Sequence, residues 1–462
     1  MLQTITQLRR TAYPETTRQA LFIWMILFAC LLIPFNLPGY VFLMIGAIIP
    51  TILVSFQIKD NMGASIALVV PLCILVNYDI ETATLTKVGL PLVLLTLLVG
   101  IWLANMVVFE RKLSFVPSAA ITPLLLFAAT TVFAFLIGQL RWFHLPAAPL
   151  AAQLGGVTIF ILSFFAFILV ANKMDTVWFQ RMVWLYIITG GIYVCVRTHE
   201  IWTIVDTFFH AKARGSLFWL WLTAMCMGQL LFNRKLTWPI KAGLIAVVGY
   251  VFYLTFINNY EWKSGWIPVF VVLFVIIGLR WQALLTKYLP VILPVVVVTL
   301  VYTTPYIIAT DQYSFLTRIE AWQIMWEIIQ YNPFTGLGPA NYHWYTPLFP
   351  IRGFDVRFSS HNQLLDIVAQ TGIVGLVCYL WFFVALFRIG WRLRNHVEEG
   401  FPQAYFYGLL AGTVGMLVAS IFSDWVLPFV YNIGLEGLRT TLPIWMLMGG
   451  VVLYEQGLKD EK

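Results

Sequence analysis

The chain has 462 residues, of which 60% are hydrophobic and only 11% charged. A soluble domain carries about 25% charged residues, so this composition excludes an ordinary water-soluble globule. The formal charge of +7 mostly reflects a bias of Lys and Arg toward the short loops on one side of the membrane, and gives no ground for nucleic-acid binding.

Taken in chain order, Arg9, Arg10 and Arg18 precede the apolar run Leu21–Phe35. That run lacks a small-residue cleavage pattern, and reads as a retained first span rather than a signal peptide. Further apolar runs follow at Pro91–Phe109, Ile121–Gly138, Val157–Ala171 and Tyr288–Thr303. Lengths near twenty match a bilayer, because backbone groups in lipid must be satisfied inside a helix. The pattern predicts an all-α polytopic membrane protein with about 14 transmembrane helices, or about 12 if the weak segments 39–57 and 63–77 form no pair. Three parts are expected: an N-terminal bundle over 1–310, an outer loop over 311–370, and a C-terminal set of helices over 371–462. The five cysteines (Cys30, Cys73, Cys195, Cys226, Cys378) show no CxxC spacing and read as small core residues.

Lys and Arg orient the spans. With both termini cytoplasmic, 18 of the 28 basic residues fall in short inner segments, as the positive-inside rule requires. Lys87, Arg141, Arg197, Lys212, Arg214, Lys263, Arg318, Arg352, Arg357 and Arg439 fall outside, against that bias, with five of the six histidines. Cations retained on the outer side are candidates for binding anions there.

The outer segment from Asp311 to about Gln370 is too long for an ordinary connection in a compact bundle, which marks it as functional. It opens with a helical stretch, Ser314–Gln330, whose Phe315, Ile319, Trp322, Trp326 and Ile329 form a stripe suited to the membrane interface. Asn332-Pro333 ends that helix, and Thr335-Gly336-Leu337-Gly338-Pro339 is a turn cluster. Residues Asn341–Phe358 are aromatic-rich and irregular. Ser360 or Asn362 is an N-cap for a helix beginning at Gln363. His361 then stands at a helix N-terminus, where the partial positive charge favours the neutral imidazole that a general base requires.

The pattern Arg318…Trp322…Pro333…Gly336-Leu337-Gly338…His361-Asn362…Leu365…Gln370-Thr371-Gly372-Ile373-Val374-Gly375-Leu376 resembles the O-antigen ligase and polymerase superfamily. The resemblance implies a GT-C-like fold and an inverting, metal-independent glycosyltransferase of the bacterial inner membrane, with its active site facing the periplasm. It implies a donor glycan on undecaprenyl diphosphate, an acceptor that is lipid A–core or another glycan, membrane lipids as surroundings, and no cofactor or metal. By the same resemblance His361 is the base or acceptor-orienting group, and Arg318 is the arginine that opens the loop. Arg214, in Ala213-Arg214-Gly215, resembles the family's Arg-Gly element, although Phe218-Trp219-Leu220 replaces the usual downstream Pro-Asn. Lys263-Ser264-Gly265-Trp266 resembles the Ser-Arg-Gly segment with a displaced lysine, and Arg141 occupies an outer loop where the family places an arginine.

The residue types suit that chemistry. A diphosphate leaving group gains negative charge, which guanidinium groups stabilise through bidentate donors. Arg318 joins His361 as catalytic, while Arg214, Arg141 and Lys263 are diphosphate ligands. Arg352, Arg357, Trp322, Trp344 and Asn362 are weaker candidates for glycan contact. Asp424 reads as a cap or as the ion-pair partner of an arginine. Ligase and polymerase activities fit the sequence almost equally, with a ligase favoured. A lipid-linked oligosaccharide flippase or other transporter is the alternative from another class. It is disfavoured because transporters place polar groups in broken helices at the midplane, whereas here the chemistry gathers in outer loops.

Overall fold

A computed structural model describes residues 62–75, 79–81, 87–199, 215–309 and 312–460. The expected first span Leu21–Phe35 and the candidate ligand Arg214 lie outside the described residues. Among the described residues, seven helices are long and apolar enough to cross a membrane: Leu90–Phe109, Leu150–Lys173, Thr176–Thr198, Trp238–Asn258, Lys263–Arg280, Gln363–Leu393 and Phe401–Phe422. Met62–Leu75, Ile121–Ile137 and Ser216–Phe232 are shorter apolar helices. The chain is thus mainly helical and multi-pass. A two-stranded antiparallel hairpin, Asp79–Glu81 with Lys87–Gly89, departs from an all-α architecture.

We label the helices that position the site α1 (Ile121–Ile137), α2 (Ser216–Phe232), α3 (Lys263–Arg280), α4 (Gln312–Ile329), α5 (Gln363–Leu393), α6 (Phe401–Phe422) and α7 (Leu438–Asp460). In the main apolar core, α2 packs along α6 and α3, and α5 packs against α1 and α6. A second, smaller core lies under the long loop, built from Phe143, Met325, Ile328, Leu337, Tyr345 and Phe429 with their neighbours. The loop is therefore a packed body rather than a tether.

The expected helix Ser314–Gln330 is present as α4, but its buried face differs from the predicted stripe. Ala321, Ile324, Met325, Ile328 and Ile329 face the small core, whereas Phe315 and Trp326 stay exposed. A segment with apolar residues on two faces has no unique stripe in its sequence, and packing under the loop chose the one that includes Met325 and Ile328. The outward Phe315 and Trp326 suit a membrane interface.

The loop is fixed to the bundle by a break in α5. Gly372 has φ +70° and ψ −177° inside that helix, which frees the carbonyls of Ala369 and Gln370 and the N–H groups of Ile373 and Val374. The Pro333–Gly338 turn meets all of them. Leu337 and Gly338 N–H donate to the two carbonyls at 2.8 and 3.1 Å, and Ile373 and Val374 N–H donate to Pro333 and Phe334 carbonyls at 2.8 and 3.5 Å. A Cβ on Gly372 would stand 2.0 Å from the Phe334 carbonyl oxygen. Gly→Ala at this strained, crowded position is expected to destabilise by several kcal/mol, roughly 1–3 from backbone conformation alone. Gly243→Ala, at a helical site where a Cβ meets nothing within 4 Å, should be neutral or stabilising by about 0.5–1 kcal/mol. Thermal melts of the two variants in detergent check the contrast.

Candidate active site

The site forms where the start of α5 meets the segment between α6 and α7. Asn362 is the N-cap of α5 and accepts from Leu364 and Leu365 N–H at 3.0 and 3.2 Å. Gln363 ties the two segments together. Its backbone N–H donates to Ser423 carbonyl at 3.2 Å, its carboxamide N–H donates to Leu427 carbonyl at 3.2 Å, and its Oε1 accepts from Leu427 N–H at 2.9 Å. This clamp sets Asp424 opposite His361.

His361 adopts φ +47°, a left-handed conformation that costs a side-chain-bearing residue about 1–3 kcal/mol. Its neighbours are held on both sides. Ser360 Oγ donates to Asp366 Oδ1 at 2.8 Å and accepts from Asn362 N–H at 3.0 Å. Trp322 Nε1–H donates to the Ser360 carbonyl at 2.9 Å. Tyr342 Oη–H donates to Asp366 in a short hydrogen bond. The strain at His361 is thus offset by a network in which Asp366, Ser360 and Tyr342 are all buried.

The imidazole remains 44% exposed, whereas the side chain of Asp424 is completely buried. Nδ1 lies 4.0 Å from Asp424 Oδ1. Asn432 bridges the two: its Nδ2 donates to Asp424 Oδ1 and Oδ2 at 2.8 and 3.0 Å and stands 3.3 Å from His361 Nδ1. Nε2 makes no hydrogen bond among the described residues. Burial holds the imidazole below its ordinary range; Asp424 opposes this and Arg318 adds to it. Burial raises the Asp424 carboxyl above the usual carboxylate range, against the opposing charge of His361, the Asn432 hydrogen bond and Arg318. The pair is tightly coupled, and the direction that follows is a neutral imidazole at neutral pH beside a carboxyl whose burial makes its charge costly.

Arg318 lies on the α4 face nearest this pair. It is half-buried and has no hydrogen bond or ion pair among the described residues. A half-buried guanidinium with no carboxylate within 4.0 Å among the described residues, whose charge still reaches His361 and Asp424, is a ready anion ligand. Trp425, next to Asp424, gathers the starts of two helices. Its ring lies 5.3 Å from that of Trp262, which precedes Lys263 at the start of α3. A Cβ on Gly215, the residue after Arg214, would stand 3.6 Å from the same ring. Lys263 is partly buried there. Arg141 is exposed on a different segment, which Asn341 pins to the long loop by accepting from Ala148 N–H at 3.0 Å and donating to Gly138 carbonyl at 3.0 Å.

The remaining candidates divide. Arg352 is occupied by Glu320, with Nε at 3.8 Å and its backbone N–H donating at 3.0 Å. Trp322 and Asn362 hold the chain around His361. Trp344 and Arg357 lie together, the guanidinium 3.7 Å from the ring centre. Asp424 is the largest revision: it faces His361 and Asn432, and among the described residues it neither caps a helix nor forms an ion pair with an arginine. Its signal was visible as Ser423-Asp424, a polar pair closing an apolar run, but nothing in that pattern named its partner. Asn432, Asp366 and Tyr342 carried no signal of their own, and Ser360, the other N-cap candidate, braces Asp366 and the Asn362 N–H instead. Among the described residues no three His, Cys, Asp or Glu side chains are grouped to hold a metal ion.

Residues 240–380 match the O-antigen ligase family model. The resemblance read from Arg318 to Leu376 therefore holds, and the O-antigen ligase match contains Lys263, Arg318, Arg357 and His361. It ends before Asp424 and Asn432, so the partners of His361 come from beyond the matched segment. No curated protein matches the chain.

The opposed charges on His361 give a direct check. Asp424→Asn removes the group that raises the imidazole and is expected to lower its pKa further. Arg318→Gln removes a group that lowers it and should raise the pKa. NMR titration of histidine-labelled protein distinguishes the two directions, and a shift of the same sign in both variants would refute the arrangement.

Proposed function

We propose that this protein transfers a glycan from a lipid diphosphate carrier to a sugar hydroxyl on the outer side of the membrane. Ligation to lipid A–core is the favoured reaction, and undecaprenyl diphosphate the favoured carrier. The observation that carries this reading is the pairing of a neutral, half-exposed imidazole with a half-buried, uncompensated guanidinium in a segment that matches the O-antigen ligase family.

In this mechanism the neutral His361 imidazole accepts the attacking hydroxyl proton, and the buried Asp424 carboxylate stabilises the imidazolium that forms. The 4.0 Å separation is longer than a hydrogen bond, as is common before substrate tightens a site. As the bond between sugar and diphosphate breaks, Arg318 stabilises the charge that develops on the leaving group. Lys263, which follows Trp262 at the start of α3, and Arg214 supply further cations, and Arg141 extends the positive surface. The hydroxyl oxygen forms the new glycosidic bond, its proton passes to His361, and the electron pair of the broken bond leaves on the diphosphate. No step draws on a metal or cofactor. Joining of two lipid-linked repeats uses the same groups and differs only in the acceptor.

The test uses purified full-length protein with undecaprenyl-diphosphate glycan and lipid A–core, with and without EDTA. His361→Ala is expected to lower transfer by about 10²–10⁴-fold, the usual contribution of a general base. His144→Ala, at an exposed outer histidine, should transfer as wild type. The wild-type rate should fall on the acid side with an apparent pKa below about 6.5, because burial lowers the imidazole. Carrier flipping without transfer would overturn the reading, and loss of activity in EDTA would overturn its metal-free form. Coupling to a second lipid-linked repeat in place of core would assign polymerase.

A further inference from the structure

We infer that Arg357, held over Trp344, is an anion subsite for the acceptor, so that the acceptor glycan carries a phosphate or carboxylate near the hydroxyl that reacts. This rests on the transfer reading for the word acceptor, but the site itself is read from different residues. The chain turns at Arg352-Gly353, where Ile351 and Phe354 pair across a bridge, and then runs extended toward His361.

Its two arginines are held differently. Arg352 is matched to Glu320, as described above. Arg357 has no carboxylate within 4.0 Å among the described residues. Its guanidinium is held by an aromatic assembly. Cζ lies 3.7 Å from the centre of the Trp344 ring, and Trp344 Nε1–H donates to Tyr431 Oη. Tyr431 stacks on His343 at 4.4 Å and 15°, and His343 Nδ1 bonds the Phe358 carbonyl at 2.9 Å, one residue past Arg357.

An arginine needed only for solubility gains nothing from such a mounting. A guanidinium stacked on a ring keeps its N–H edges directed outward, where they match a phosphate or carboxylate in bidentate fashion. Holding it in place beforehand removes much of the rotamer entropy that binding would otherwise cost. The ladder also adds no competing charge. His343 is held below its ordinary range by burial, against the Phe358 hydrogen bond and with a further push from Arg357.

Position completes the case. Tyr431 adjoins Asn432, whose amide contacts His361. Arg357 precedes His361 by four positions, a span of at most about 14 Å, which places the subsite within reach of a short glycan. Arg318 comes from α4 and Arg357 from the segment before α5. The two cations therefore serve two anions: the carrier diphosphate at Arg318, and a charged group of the acceptor at Arg357.

Direct binding tests this without any transfer step. Maltotriose, maltotriose bearing a 6-phosphate, and its uronic-acid-terminated form are titrated against the full chain in detergent by calorimetry. At low salt the wild type is expected to bind one or both charged sugars at least about tenfold more tightly than maltotriose, the size of a charged hydrogen-bonded contact. The two charged probes report which anion is preferred. Arg357→Gln should erase that preference, and Trp344→Leu should weaken it by releasing the guanidinium. Arg357→Lys should fall between, having charge without the planar fork. Raising salt should weaken the preference in the wild type, which keeps the test decisive if a variant misfolds. Equal affinity for all three sugars, or an Arg357→Gln protein that keeps the preference, overturns the inference. Wild-type protein that binds charged sugar but transfers no glycan defeats the transferase reading instead.

Discussion

The break at Gly372 frees four backbone groups, two of them on the buried residues Ala369 and Gln370, and the Pro333–Gly338 turn supplies a partner for each. Unpaired backbone groups away from water are costly, so helix and turn are each incomplete alone. The rest of the packed loop follows from this joint. It fixes the end of α4 against the start of α5, and so sets Arg318 on one side of His361. It also closes the small core in which Phe143, Tyr345 and Phe429 pack. The Gly336-Leu337-Gly338 and Gln370-Thr371-Gly372 motifs therefore build the frame, while the chemistry stands on residues between and beyond them.

The second constraint is the clamp by Gln363 on the segment after α6. It brings a carboxyl from late in the chain against an imidazole that the long loop alone leaves exposed. Burial makes the Asp424 charge costly, and Asn432 and His361 share the task of stabilising it. His361 is itself strained in backbone, and its neighbours are bound more tightly than it is. This is the usual form of a functional residue: a rigid surround holding one unfavourable conformation.

Much of this was legible in the amino-acid order. Long apolar runs announced the helices, because a bilayer permits few other ways to satisfy the backbone. The helical opening of the loop, the turn at Asn332-Pro333 and the Asn362 cap depend on neighbours within a few residues, and each appeared where it was expected. Arg318 and His361 stood out as cation and imidazole in an outer loop with a family pattern. The face that α4 buries was not legible, since Phe315, Trp326, Met325 and Ile328 are all apolar and only the core beneath them decides which turn inward. Nor was the placement of Trp322 and Trp344, whose indole N–H groups bond partners 38 and 87 residues away.

By itself the sequence determined the membrane-spanning class, the helical segments and the two side chains with the strongest chemical character. Local periodicity, caps and turn residues act over short distances, and the amino-acid order displays them directly. Only the tertiary structure decided that Asp424 and Asn432 complete His361, and that Arg352 is matched by Glu320 while Arg357 is mounted on Trp344. Those pairings join segments tens of residues apart, across a helix break whose open hydrogen bonds had to be closed by a distant turn. No spacing along the chain encodes such a meeting; the requirement that every buried polar group find a partner does.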